Sequence, residues 1–359
     1  MIAKKKYEFI PDYAVPPGET LREVMESLDM NQKELAARTE LTVQTINRIF
    51  KGEQPISYET ANRLELSTNV PARIWNNLEA KYREQIFKLE ERIRLEDDLD
   101  WMKSIPISVL KKRGYIQEKN DRVLILREVL SFYGVSSVQA WHDIWEKPAI
   151  AARRSPCFET RPGPASAWIR QGQLKAKEIE CMPFDKTLFH GCLHKIRTLT
   201  RKGPDVFVPE VIKLCAETGV AIALVPEMAG VPWNGATQWL KHNKAMILLS
   251  LRGKGEDKFW FSFFHEAGHV LNDNKKDLLI NDGSQDDPRE VRANRFASQF
   301  LIPENLNAEI CGFTNRNQII EMADKLGIST GIVAGRFQFL TKKWDYFKNL
   351  IRTFQWSTN

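Results

Sequence analysis

The stretch DKFWFSFFHEAGHVLND, Asp257–Asp273, holds two of the chain's six histidines, four residues apart, with a glutamate beside the first. Helical spacing puts His265 and His269 on one face, one turn apart, so that two imidazoles reach a single ion. Glu266 stands next to them as a base for a water at that ion. Zinc suits this set: it takes imidazole nitrogen, lowers the pKa of water to ~7 and polarises a peptide carbonyl. Phe261, Phe264, Ala267, Gly268 and Leu271 give the same helix an apolar, tight face, and Gly268 permits close approach of another backbone. Composition alone produces such a motif in a chain this long on the order of one time in a hundred.

Two histidines leave a catalytic site short of a ligand. Downstream, DDPREVRANRFASQFLIP (Asp286–Pro303) reads as a second helix, with Asp287 as N-cap, Pro288 at the first position and Pro303 as the stop. Glu290 lies in its first turn. It is the favoured third ligand, with a capping-box role toward Asp287 as the alternative. Asp286 and Asp287 are the rival ligands. The segment FHGCLH, with His190, Cys192 and His194, has the same histidine spacing but no adjacent carboxylate and no partner helix. It reads as an ordinary helix, and His142 and His242 stand alone.

The chain has 359 residues and 43% hydrophobic residues, enough for two or three domains with real cores. MIAKKKYEFIPDY carries three lysines but no apolar run after them, so a secretory signal is not expected. No apolar run approaches the ~18 residues of a membrane span. Cys157, Cys181, Cys192, Cys215 and Cys311 are odd in number and scattered, which suits reduced thiols in a cytoplasm. The net charge of +6 is unevenly spread. Residues 1–80 carry 10 Lys+Arg against 12 Asp+Glu, and residues 101–205 carry 19 against 10. A DNA reader at the N-terminus therefore depends on a few placed cations.

Three regions separate by pattern: 1–82, short helices with polar turns; 83–205, mostly helical; and 206–345, mixed. AKYREQIFKLEERIRLEDDLDWM reads as a connecting helix with Ile86, Leu89, Ile93 and Leu99 on one stripe. Ser155–Ser166, rich in proline, reads as a loop. Gly219–Pro226, Lys244–Arg252 and Gly235–Leu240 read as strands, with 244–252 as an edge open to β-addition.

HEAGHVL followed by EVRANRFASQFLIP resembles the ImmA/IrrE-type metallopeptidases, whose pattern is HExxH and then a Glu-x-x-Ala-Asn-x-Phe-Ala helix ending in Leu-x-Pro. The resemblance implies zinc on His265, His269 and Glu290, Glu266 as general base, and bacterial or phage repressors as substrates. It also implies a small sheet before the zinc helix. Ala323–Leu340 has a helix–turn–helix cadence but few cations, and similar tails belong to the peptidase fold in that family.

In MNQKELAARTELTVQTINRIFKGEQPIS, Asn31 is an N-cap with Glu34 at the third helical position. A helix to about Arg38, a turn at Thr39–Leu41 and a second helix from Val43 to Phe50, capped by Thr42, follow. Leu35, Ala36, Leu41, Ile46 and Ile49 face inward. Gln44, Thr45, Asn47 and Arg48 are left outward, able to meet base edges or phosphates in a major groove. This resembles the lambda-repressor/Cro-like XRE fold, and over about residues 15–80 the HigA antitoxin branch, with Glu40 where that turn usually has glycine. Gln32 resembles the helix-start glutamine that bonds DNA phosphate in such domains, and the cap Thr42 is counted among the DNA-binding residues.

The expected molecule is α+β: an N-terminal lambda-repressor-like helix–turn–helix domain, a helical middle region, and a C-terminal zincin-like domain with a small sheet and the HExxH helix. Its expected activity is that of a cytoplasmic DNA-binding regulator with zinc endopeptidase activity on a repressor-type protein, a partner or itself. Zinc is expected at one ion per chain. Operator DNA, a repressor- or toxin-like protein and a second copy of the chain are the expected partners, with no membrane. The alternative is a non-proteolytic repressor or antitoxin whose zincin domain senses or binds a partner.

Overall fold

The computed structural model describes residues 13–146, 161–275, 279–280 and 287–357. The chain divides into two compact units, residues 1–100 with 119–127 and residues 101–118 with 128–359. Residues 83–205 contribute to both.

The first unit is helical: α1 (Pro17–Ser27), α2 (Gln32–Thr39), α3 (Val43–Phe50), α4 (Tyr58–Thr68) and α5 (Ala72–Asp97). Leu21, Leu35, Ile46, Ile49, Leu64 and Trp75 form its core, each 1% exposed or less. Capping places the ends. Asn31 Oδ1 accepts from Glu34 N at 3.0 Å, and Thr42 Oγ1 accepts from Thr45 N at 3.0 Å. Glu34 does not return the cap; its carboxylate pairs with Arg38 at 2.6 Å. The turn between α2 and α3 passes through Glu40 at φ 55°, the left-handed conformation that glycine adopts without strain. Arg63 on α4 donates to the Thr39 carbonyl at 3.1 Å and holds that turn. In α5, Leu95 is buried and Ile93 is 67% exposed, so the apolar stripe runs through Leu95 rather than Ile93.

The second unit opens with α6 (Ile107–Lys112). It continues through α7 (Arg122–Tyr133), whose first turns belong to the first unit, and α8 (Val138–Trp141). The residues from 122 to 146 are apolar enough in composition for a membrane helix, but Gly134 breaks them at φ 70° and Val129, Tyr133 and Trp141 are buried. Helix α9 (Pro162–Glu178) takes up half of the expected loop: Pro162 and Pro164 sit in its first turn, where no helical N–H is lost. Residues 155–160, with Cys157, lie outside the described residues. Helices α10 (Lys186–Leu199) and α11 (Pro204–Ala216) lead to the sheet.

The sheet has the order β1-β3-β2-β4, from β1 (Val220–Leu224), β2 (Gly235–Lys241), β3 (Lys244–Leu249) and β4 (Leu279–Ile280). β1 pairs with β3 in parallel, Val220 opposite Ala245, and β2 is antiparallel to both β3 and β4. β3 is therefore an inner strand, and the expected edge for β-addition is not there. Every residue of β3 after Lys244 is buried, as a strand covered on both faces must be. Helix α12 (Glu256–Asn272) lies on β2 and β3, and α13 (Pro288–Leu301) packs along α12. Then come α14 (Asn307–Cys311), α15 (Arg316–Leu326) and α16 (Thr330–Thr341). Ile332, Val333, Ala334 and Phe337 of α16 are at most 4% exposed, so this second helix–turn–helix cadence is core and not a DNA reader.

Candidate metal centre and nucleic-acid face

Helix α12 is buried along most of its length, with Trp260, Phe263, Phe264 and Ala267 at 0% exposure. That burial fixes its rotation, and His265, Glu266 and His269 are at most 1% exposed. Gly268 lets α13 come close: a Cβ there would lie 3.1 Å from Phe296 and 3.4 Å from the Ala293 backbone. This close passage brings Glu290 over the two histidines.

His265 Nε2 and His269 Nε2 lie 3.0 Å apart, and each is 3.1 Å from a Glu290 carboxylate oxygen. Among the described residues, these three are the group whose ligating atoms converge, all within 4.8 Å. The outer nitrogens are committed. His265 Nδ1 faces Asn294 Oδ1 at 2.9 Å, and His269 Nδ1 faces Asp273 Oδ2 at 2.7 Å. Both partners are acceptors, so Nδ1 carries the proton and each Nε2 presents a lone pair inward. Arg292 pairs with the other oxygen of Asp273.

Two lone pairs and a carboxylate facing one another in a buried site need a cation between them. The Glu290 oxygen beside His265 is buried without a hydrogen-bond partner. Bonds of ~2.0–2.1 Å to a tetrahedral ion set donors roughly 3.3 Å apart, close to the separations here. Imidazole donors favour zinc over the oxygen-seeking calcium and magnesium. The residues fit a zinc ion.

Without an ion the charges still report the design. Burial works against a charged His269, but Asp273 and Glu290 outweigh it and hold the imidazole at about 10. Burial likewise opposes ionised Glu290, yet His265 and His269 bring it down to about 2. Burial raises Glu266, and the two histidines and a Thr237 hydrogen bond only partly offset that. Thr237 Oγ1 donates to Glu266 Oε2 at 2.7 Å, while Oε1 is buried without a partner. Gly235 makes room for it; a Cβ there would stand 2.6 Å from Oε1.

The capping alternative for Glu290 fails. Asp287 Oδ1 accepts from Arg289 N at 2.8 Å, and the Glu290 carboxylate is turned to the histidines. Asp287 is spent on this cap and on Arg289, and Asp286 lies outside the described residues. In the rival segment, His190 and His194 are exposed and pack on Phe300, while Cys192 points into the core. His142 pairs with Glu146, and His242 sits in the β2–β3 turn.

Sequence reasoning missed Thr237, Asp273, Arg292 and Asn294. Two had a signal: Asp273 follows His269 by four residues and Asn294 follows Glu290 by four, the spacing that stacks side chains on a helix. Thr237 had none, because only the sheet brings β2 over α12.

In the first unit, Gln44, Asn47 and Arg48 of α3 are exposed and Thr45 is half-buried. Thr42 Oγ1 and Thr45 Oγ1 are 2.9 Å apart, so the cap hydroxyl is shared between them. Gln32 opens α2, and the three exposed side chains form one polar face on α3 above Ile46 and Ile49.

Residues 21–75 match the family model described as helix-turn-helix. Residues 229–338 match the model described as IrrE N-terminal-like domain. No curated protein matches the chain. The chain joins an XRE-type helix–turn–helix domain to an IrrE-like, metallopeptidase-like domain.

Proposed function

We propose that the protein is a DNA-binding regulator whose IrrE-like domain is a zinc endopeptidase acting on a repressor-type protein, a partner or itself. The observation that carries this reading is Glu266. It is 0% exposed, tethered at one oxygen and unpaired at the other, beside three converging ligand groups. A purely structural carboxylate at that depth is expected to be paired at both oxygens, since a buried unsatisfied polar atom costs about 1–3 kcal/mol.

In this reading His265, His269 and Glu290 hold one zinc per chain, and Asp273 and Asn294 keep the imidazoles in the ligating tautomer. Zinc supplies Lewis acidity toward a peptide carbonyl. Glu266 Oε1 takes the proton of the attacking water and delivers it to the leaving amine nitrogen. Thr237 fixes the carboxylate through Oε2, and the burial that raises Glu266 favours its holding the proton between the two steps. Residues 1–82 are the reader and 206–345 the cutter, with 83–205 between them, in the cytoplasm with the DNA. Gln44, Thr45, Asn47 and Arg48 meet base edges, Gln32 and Thr42 meet phosphate, and a dimer spans a two-fold operator.

One observation favours a second, non-proteolytic reading as a sensor or antitoxin-type repressor. His265, Glu266, His269 and Glu290 are 0%, 0%, 1% and 5% exposed, which leaves a polypeptide little access in this arrangement.

One experiment separates the two. Wild type, Glu266→Gln and Glu290→Ala are purified, assayed for zinc, and each co-expressed with candidate repressor- and toxin-like proteins. Zinc near one per chain is expected in wild type and Glu266→Gln and lost in Glu290→Ala, with cleavage in wild type alone. A partner and a chain both left intact by zinc-loaded wild type, as by Glu266→Gln, would sink the peptidase reading and favour the sensor. All three proteins should shift promoter DNA; Arg48→Ala should weaken that by roughly 1–3 kcal/mol if Arg48 reads a guanine.

A further inference from the structure

A cavity of about 630 Å³ lies next to the metal centre, walled by α12, α13 and α16. Val291, Phe339 and Trp344 border it, at 50%, 54% and 57% exposure, and Phe261 and Ile332 line it further in. These three apolar side chains are each about half exposed, and Lys342 Nζ lies 4.3 Å from the Phe339 ring centroid and 5.9 Å from that of Trp344. His265, Glu266, His269 and Glu290 are not among the lining residues. The cavity is therefore separate from the ligand cluster.

Two residues connect them. Asn294 lines the cavity while its Oδ1 faces His265 Nδ1 at 2.9 Å. Phe261 lines it too, with its ring centroid 6.3 Å from that of His265. The His265 bond uses the Asn294 oxygen and leaves the amide nitrogen as a donor. Lys258 adds a cationic donor, and Ser262 and Ser298 add hydroxyls. The Arg336 guanidinium is occupied by the Ser298 and Ile302 carbonyls. Asp257 contributes a carboxylate whose pKa burial raises, and in its ionised form it disfavours an anion on its side of the cavity.

We propose that this cavity binds a small organic molecule, an apolar body of ring-pair size with a carbonyl or carboxylate oxygen, and that its occupancy is coupled to the metal through Asn294 and His265. Size decides between occupants. Small-molecule pockets span about 300–1,000 Å³ and are apolar with a few placed polar groups, which describes this one. The volume is several times what one substrate side chain fills. The coupling follows from Asn294: a ligand that draws on its amide moves the acceptor that orients His265. Linkage then makes the effect mutual, with the ligand changing zinc affinity by the factor by which zinc changes ligand affinity. Only the coupling rests on the metal reading; the cavity stands without it.

The probe is 8-anilinonaphthalene-1-sulfonate, an aromatic pair with an anionic oxygen head, titrated into the full chain with zinc and after chelation. One saturable site per chain is expected, with affinities differing about 5-fold or more between the two states. Val291→Trp, which obstructs the rim from an exposed position, should weaken binding about tenfold, and Trp344→Ala should weaken it as loss of a large anchor does. Unsaturable binding, or binding that neither variant changes, overturns the cavity assignment. Equal affinity with and without zinc, in protein shown to hold zinc, overturns the coupling. Displacement of the probe by reduced, carboxymethylated casein would overturn the small-molecule assignment in favour of a substrate channel. Absence of zinc in the loaded sample is a failure of the metal reading alone, since the chelated titration still tests the cavity.

Discussion

At the scale of single residues, His269 and Glu290 hold each other in their charged forms. His269 is raised to about 10 and Glu290 lowered to about 2. A raised histidine contributes stability that is fully present below its ordinary 6.5 and is lost as pH rises through about 10. A lowered carboxylate contributes stability present above its ordinary 4.5 and lost as pH falls through about 2. The chelated protein should therefore melt highest between 4.5 and 6.5 as far as these two groups decide, and lower steadily on the alkaline side. Zinc at this site would reverse the alkaline trend, because it would replace the proton on His269 and bind more tightly as that proton leaves. Melting curves with chelator and with zinc, from pH 6 to 9, check this; a zinc-induced gain in Tm that shrinks with rising pH would refute it. The convergence of Glu290 depends on a second helix crossing the first, whereas that of His265 and His269 was legible in the sequence because helical spacing is local. Asn294 and Asp273, which set the tautomers, were half-legible for the same reason. Thr237 and Gly235 were not, since their relation to Glu266 comes from a strand crossing a helix.

At the scale of elements, α12 must be held at both ends for its ligands to keep register. Its C-terminus is tied by Asp273 to His269 and Arg292. Its N-terminus lacks a side-chain cap, and Glu256 in the first turn is fully buried. Glu256 accepts from Ser329 Oγ at 2.7 Å and from Arg352 Nε at 2.7 Å, and its own backbone N–H donates to the Arg352 carbonyl at 2.9 Å. The strand-like tail thus closes the helix start, with Phe354 buried behind it and Gly255 bridged to Thr353. A chain ending at residue 345, the boundary the sequence pattern suggests, would leave a buried carboxylate without its cation. Breaking such a pair costs about 3–5 kcal/mol, and Arg352, 37% exposed, belongs near the low end. Urea denaturation should show Arg352→Ala destabilised by roughly 3 kcal/mol and the truncated chain by more. A truncated chain as stable as the full one would mean the tail is decoration. The tail was illegible because Arg352 pairs with a residue 96 positions earlier, a distance no periodicity reports. The start of α9 was misread for a different reason. Proline signals a break in general, and only at a first turn does it begin a helix.

At the scale of the whole molecule, the two units are each built on a hydrophobic core of their own. The helix–turn–helix unit buries Leu21, Leu35, Ile46, Ile49 and Trp75 together. The larger unit packs Trp260, Phe263, Phe264 and Phe337 around the helix that bears the ligands. A ligand stabilises only the unit whose folded form it binds, by RT ln(1 + [L]/Kd), about 2.7 kcal/mol at a hundredfold excess over Kd. Calorimetry of the full chain should therefore resolve a zinc-sensitive and a zinc-insensitive transition. Zinc should raise the first by several degrees and leave the second in place, and Glu290→Ala should abolish the shift. Ile46→Ala should move only the second, because it empties part of a core that the metal never touches, at about 2–5 kcal/mol. One cooperative transition that shifts as a whole with zinc would contradict this and would tie the reader's fold to the metal. The separate outcome has a consequence that can be measured: removal of zinc should leave the mobility shift of promoter DNA unchanged.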